Sequence, residues 1–114
     1  MTGGEQVRAF LHVRDVAAAL LDVGQSSVRG VVHVGSDGAL TVRELALRIG
    51  ERLGRSEFLS FGDLAPAIRD APRIVSANAR LYSEVGFRPR LSLDEGLADT
   101  IEWWRQRRPS VVAT

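Results

Sequence analysis

The apolar residues of this chain come in short bursts, and the spacing inside each burst changes along its length. Val7 to Val13 reads as a brief strand, and Asp15 stands where it would cap a helix through Val16, Ala17, Ala18, Ala19, Leu20 and Leu21. Gly24 to Gly30 reads as a loop. Val31, Val32, His33 and Val34 make a short β-branched run, the pattern of a strand covered on both faces as in parallel sheets. Gly35-Ser36-Asp37-Gly38 ends it as a turn.

A helix follows. Thr41 with Glu44 three residues on makes a capping box, Val42, Leu45, Ala46, Ile49 and Leu53 recur on one face, and Gly54 stops it. Glu57 to Phe61 alternates as a half-buried strand, Gly62 to Pro72 is a loop, and Arg73-Ile74-Val75 is another short strand. Asn78 to Val85 reads as a helix closed by Gly86, with Pro89 just beyond. The last helix carries a second capping box, Ser92 with Glu95, and an apolar stripe of Leu93, Leu97, Ile101 and Trp104 before Pro109. Trp103 and Trp104, adjacent on that helix, are about 100° apart, so one is expected in the core and the other at its boundary. Arg105, Arg107 and Arg108 fall near the helix C-terminus, where positive charge complements the dipole.

At 114 residues, with 45% hydrophobic and 25% charged residues, the chain suits one α/β domain over 1–114, with 109–114 expected as a flexible tail. No apolar run approaches the roughly 20 residues that span a bilayer, and the N-terminus lacks the basic start and apolar stretch of a signal peptide, so a cytoplasmic protein without membrane contact is expected. A net charge of +1 gives no general pull toward nucleic acid. Cysteine is absent, and all 15 basic residues are arginine. Thiol chemistry, Schiff bases and lysine-assisted tyrosines are therefore closed to this chain.

Four blocks in order resemble the C-terminal, substrate-binding portion of the extended short-chain dehydrogenase/reductases, the NAD-dependent epimerases and dehydratases of sugar nucleotides. Arg8-Ala9-Phe10-Leu11-His12-Val13-Arg14-Asp15 is similar to the family's Arg-x-Phe-x-His-Val-x-Asp stretch. Val32-His33-Val34-Gly35-Ser36 with Thr41 to Leu45 resembles its strand, Gly-Ser turn and helix. Pro72 to Val75 with Ala79 to Phe87 and Pro89 resembles a strand, a helix and a Leu-Gly-Trp/Phe-x-Pro stop. Leu91 to Leu97 with Thr100, Ile101 and Trp103 resembles the terminal helix of the substrate-binding lobe.

The departures matter as much. Nothing in the sequence matches the glycine-rich dinucleotide loop of the family's N-terminal Rossmann half; Gly35-Ser36-Asp37-Gly38 lacks its spacing and a nearby acidic ribose ligand. The family's Tyr-x-x-x-Lys pair is missing too, because Tyr82, the single tyrosine, is followed by Ser83-Glu84-Val85-Gly86. Ala67 stands where an arginine is usual, with Arg69 a possible replacement. Ala77 stands for a common acidic residue and His33 for a common asparagine. No cofactor is expected on this chain alone; NAD enters only if a partner supplies the Rossmann half.

The resemblance implies that Arg8 contacts the diphosphate of a nucleotide-sugar, a task suited to a planar guanidinium fork. Phe10, Arg69 and Arg73 are further candidates for substrate binding. No catalytic residue is assigned; His12, Asp15 and Tyr82 are the candidates for proton transfer. Each also has a plain structural reading: a strand-edge arginine, a hydrogen-bonding histidine, a helix-capping aspartate. His12 and His33 are too few for a metal site, and none is expected.

The expected function is that of a substrate-binding portion for a sugar nucleotide, needing a separate cofactor-binding half. Two alternatives stand beside it: a cofactor-independent small-molecule binder or isomerase/cyclase, and a non-catalytic dimerisation module. The expected partners are a second copy, forming a homodimer, or a Rossmann-domain chain. Short strands at Leu11 and Ile74 should pair, while Val31 to Val34 seeks a larger sheet, leaving apolar surface for a partner to cover.

Overall fold

Residues 1–107 are described by a computed structural model; the expected tail at 109–114 and the stop at Pro109 lie outside the described residues. Strand β1 (Val7–Ala9) is the middle of a three-stranded sheet. It runs antiparallel to β2 (Ala39–Thr41), pairing Val7 with Thr41, and parallel to β3 (Arg73–Ile74), pairing Val7 with Arg73 and Arg8 with Ile74. The expected pairing with Ile74 therefore exists, but through Arg8 and not Leu11. β1 is also shorter than expected, because the chain turns into helix before Val13.

That turn corrects the reading of Asp15 as a cap. Helix α1 (Val13–Gln25) begins two residues before Asp15, and its cap is His12, whose ring accepts the Arg14 amide at 3.0 Å. Asp15 lies inside the first turn and is buried. Its Oδ1 accepts from the Arg90 amide at 3.1 Å and its Oδ2 from the Leu91 amide at 3.0 Å. The carboxylate thus braces the entry to the last helix. α1 also runs through Gly24, ending where Ser26 Oγ donates to the Val23 carbonyl at 2.8 Å.

Helix α2 (Val42–Leu53) has the expected capping box: the Glu44 amide donates to Thr41 Oγ1 at 3.1 Å and the Thr41 amide to Glu44 Oε2 at 2.8 Å. Gly54, at φ 63°, ends it in the left-handed conformation that glycine adopts most easily. The strand expected over Glu57 to Phe61 is instead a 3₁₀ turn at Ser56–Phe58 followed by extended chain. Short-range bonds decide this, with the Phe58 and Leu59 amides donating to the Arg55 and Ser56 carbonyls, each at 3.1 Å. An alternating pattern five residues long suits either outcome.

Val31 to Val34 is likewise not a strand. Val32 and Val34 pack against the core while Val31 and His33 are exposed, so one face is covered and not two. The Arg80 guanidinium takes the place of a ladder, donating to the Arg29 carbonyl at 2.7 Å and the Val31 carbonyl at 2.8 Å. Arg80 itself sits on a short helical segment whose last turn, Leu81–Val85, has π winding and ends at Gly86. Helix α3 (Leu93–Arg107) starts with the second capping box, in which the Glu95 amide donates to Ser92 Oγ at 3.1 Å.

The buried apolar core among the described residues consists of Ala19, Leu81 and Phe87, with Ala18, Val23, Val32, Val34, Tyr82 and Val85 partly buried around it. Neither tryptophan joins it. Trp103 and Trp104 are both exposed and stack edge to face at 4.9 Å, and the Arg107 guanidinium covers Trp103 at 4.0 Å. Exposed instead are Val13, Leu20 and Leu21 on one side of α1, together with Val31 and Ile74. The radius of gyration is 17.1 Å, against about 13 Å for a compact chain of this length. No helix among the described residues is long and apolar enough to cross a membrane.

Candidate functional site

β1 runs into a cleft of about 700 Å³ between the Phe10–His12 segment, the Ser36–Gly38 turn, Tyr82 with Arg88, and the first two turns of α3. Gly96 lets α3 approach closely, since a Cβ there would lie 3.3 Å from the His12 ring. His12 is committed at both nitrogens. Its Nδ1 accepts from the Arg14 amide, so the neutral ring carries its proton on Nε2, which lies 3.0 Å from Asp99 Oδ2. Asp99 is in turn 3.4 Å from the Arg14 guanidinium.

Across the cleft, the Arg88 guanidinium lies 4.0 Å over the Tyr82 ring. Burial pushes the Tyr82 phenol above its ordinary value, and the nearby Asp37 carboxylate adds to the rise. Asp37 is fixed by Asn78, whose amide donates to it at 3.1 Å, and Ser36 Oγ donates to the Phe10 carbonyl at 2.6 Å.

The other end of β1 is a site of different character. Arg8 Nη1 donates to the Val7 carbonyl at 2.8 Å, and Arg8 Nη2 donates to Asp70 Oδ1 at 2.6 Å. Gln6, two residues earlier on the same extended segment, donates to Asp70 Oδ2 at 3.1 Å. Arg69 is Asp70's neighbour in the chain, and Arg73 is the β3 residue paired with Val7, so its side chain leaves the sheet on the face opposite that of Arg8. Arg69 and Arg73 are exposed, and among the described residues neither is within salt-bridge distance of a carboxylate. A groove of about 430 Å³ between residues 2–6 and the 62–72 loop opens beside Asp70.

The candidate residues thus fall into two groups and one outlier. Phe10, His12 and Tyr82 share the cleft, Arg8 is held by Asp70 while Arg69 and Arg73 stand exposed on the neighbouring loop and strand, and Asp15 reaches neither. Nothing local in the chain marks Asp99 or Arg88 as their partners. Gln6 and Asp70 were also missed, although Gln6 and Arg8 at alternate positions of one extended segment were a usable signal. Among the described residues no group of three or more His, Asp or Glu side chains is placed to hold a metal ion.

The one glycine-rich turn considered for a dinucleotide does not fit it. The Gly35–Gly38 turn follows no strand, and a Cβ on Gly35 would collide with Ser76 Oγ, so this glycine admits a neighbouring side chain and not a pyrophosphate. Its hydroxyl and carboxylate, Ser36 and Asp37, are bonded inward to Phe10 and Asn78.

No family model matches the chain. Its relatives nevertheless define the class: the chain is homologous to part of the extended short-chain dehydrogenase/reductases of the NAD-dependent epimerase/dehydratase type. It is 36% identical over 104 residues to GDP-L-fucose synthase 1 of Arabidopsis thaliana, which covers 89% of this chain and 31% of that protein. It is 32% identical over 110 residues to a dTDP-glucose 4,6-dehydratase of Streptomyces niveus, with 92% and 31% covered. The solved UDP-glucose 4-epimerase of Thermotoga maritima, bound to UDP-glucose, superposes with a TM-score of 0.83 at 27% identity, over 91% of this chain and 33% of that one. The chain therefore spans about a third of the length of the relatives it matches.

Proposed function

We propose that this chain is the nucleotide-sugar-binding portion of an epimerase/dehydratase-type enzyme and works with a separate cofactor-binding half. The observation that carries this is the way Arg8 Nη2 and Gln6 Nε2 converge on one carboxylate, that of Asp70, a donor pair suited to an anion. Arg69 and Arg73, exposed on the adjoining loop and strand, add positive charge to this region of the surface, in keeping with a diphosphate ligand. Phe10, two residues beyond Arg8, leads from there into the cleft with Tyr82, which offers aromatic faces to a base or sugar. The relatives are enzymes of GDP-, dTDP- and UDP-linked sugars, in keeping with this reading.

The need for a second half rests on α1. Val13, Ala17, Leu20 and Leu21 recur at helical spacing on a face the described chain leaves open, opposite the face that buries Ala19. Proton transfer by His12 is disfavoured, since it would have to give up either the α1 cap or Asp99. Titration calorimetry with UDP-glucose, GDP-mannose and dTDP-glucose tests the binding role. Micromolar to millimolar binding of at least one, lost in Arg8→Gln, is the expected result; no binding of any by the chain, alone or mixed with a cofactor-binding half, overturns it.

A further inference from the structure

We infer that Asp70 is a built-in competitor for the anion site at Arg8: its carboxylate occupies the position of a ligand phosphate, and a bound nucleotide must displace it. This rests on the reading of Arg8 as a diphosphate contact. Both oxygens of Asp70 are engaged by donors on one extended segment, Oδ1 by Arg8 Nη2 at 2.6 Å and Oδ2 by Gln6 Nε2 at 3.1 Å. Two converging donors, one cationic and one neutral, form an oxyanion site whatever anion fills it. The occupant here is tethered, so it competes at a high effective concentration.

The pair is nonetheless displaceable. The Arg8 side chain is 21% exposed and that of Asp70 35%, so water screens the attraction, and partly exposed ion pairs of this kind are worth about 1 kcal/mol or less. A diphosphate carries more charge than a carboxylate and so gains more from the Arg8 guanidinium. Asp70 belongs to the loop of residues 62–72, where Leu64 and Ile68 are fully or largely exposed and little apolar burial holds the backbone down. Once a phosphate sits on Arg8, like charge drives Asp70 and its loop away. Nucleotide binding should therefore loosen this loop, where an ordinary binding loop would tighten.

Asp70→Asn keeps the shape and removes the charge. Calorimetry with UDP and GDP on the 114-residue chain should show about fivefold tighter binding in Asp70→Asn and loss in Arg8→Gln. Amide hydrogen exchange should show loop 62–71 speeding up when UDP binds the wild type, and already fast in Asp70→Asn. If Arg8→Gln abolishes binding but Asp70→Asn leaves it unchanged or weaker, the competitor role is wrong and the diphosphate reading stands. Slower loop exchange on UDP binding would also refute the competitor. If neither wild type nor Asp70→Asn binds UDP or GDP, both fall together.

Discussion

Asp15 and Leu91 are 76 positions apart, and the buried carboxylate of the first accepts the amide hydrogen of the second at 3.0 Å. With the neighbouring bond from Arg90, this satisfies two amides just before α3, where backbone donors otherwise need partners. Asp15→Ala leaves both without an acceptor. A loss of about 3 kcal/mol is expected in urea unfolding, from roughly 1–3 kcal/mol for each buried group left unsatisfied. Asp15→Asn should fall between the two, because its amide group faces one donor with another. A loss below about 1 kcal/mol for the alanine variant would show that water replaces the carboxylate.

The capping boxes give smaller effects. Thr41→Ala removes the acceptor for the Glu44 amide, and Ser92→Ala does the same for Glu95. Each should cost about 1 kcal/mol, read as a lower denaturation midpoint with unchanged slope. The two should add, since they start different helices.

Tyr82 supplies a prediction at high pH. Its phenol is raised above 10.0 by burial first and by Asp37 second, so the folded chain favours the neutral form. The associated stability is fully present below pH 10 and is lost as the pH climbs through the folded value. As the single tyrosine, it can be followed by tyrosinate absorbance. Asp37→Asn removes the charge but not the burial, so the midpoint should move only part of the way back. A full return to 10 would assign the whole shift to Asp37.

The open face of α1 is tested by Leu20→Glu and Leu21→Glu. Both side chains are 60% exposed, so in the isolated chain each variant should change stability by about 0.5 kcal/mol or less. Assembly with a cofactor-binding half, measured by sedimentation, should fail. Unchanged assembly in the double variant would remove α1 as the contact.

Legibility in the sequence followed distance along the chain. Thr41 with Glu44 and Ser92 with Glu95 were readable because each box closes within one helical turn, and the Gly54 and Gly86 stops are similarly local. The cap of α1 was misplaced by three residues: Asp15 is the stronger capping residue type than His12, but it was claimed by Arg90 and Leu91 from the far end of the chain. Val31 to Val34 has strand composition, yet a strand also needs a ladder partner, and an arginine 49 to 51 positions away holds its carbonyls instead. The anion site was half legible. Arg8, Arg69 and Arg73 stood out as residue types, whereas Asp70 became visible only when the β1–β3 pairing brought it 62 positions back to Arg8.

Four side-chain bonds that brace the first strand and helix reach far forward: Arg8 to Asp70, His12 to Asp99, Asp15 to Arg90 and to Leu91, across 62 to 87 positions. On a ribosome adding about 5–20 residues each second, the start of the chain waits roughly 3–17 s for these partners to be made. Through that interval α1 carries Val13, Leu20 and Leu21 with neither its own brace nor a neighbouring subunit in place. On the proposed reading, production of this chain is governed by what shelters the nascent helix, and making it alongside a cofactor-binding half should raise the soluble yield more than any stabilising substitution within it.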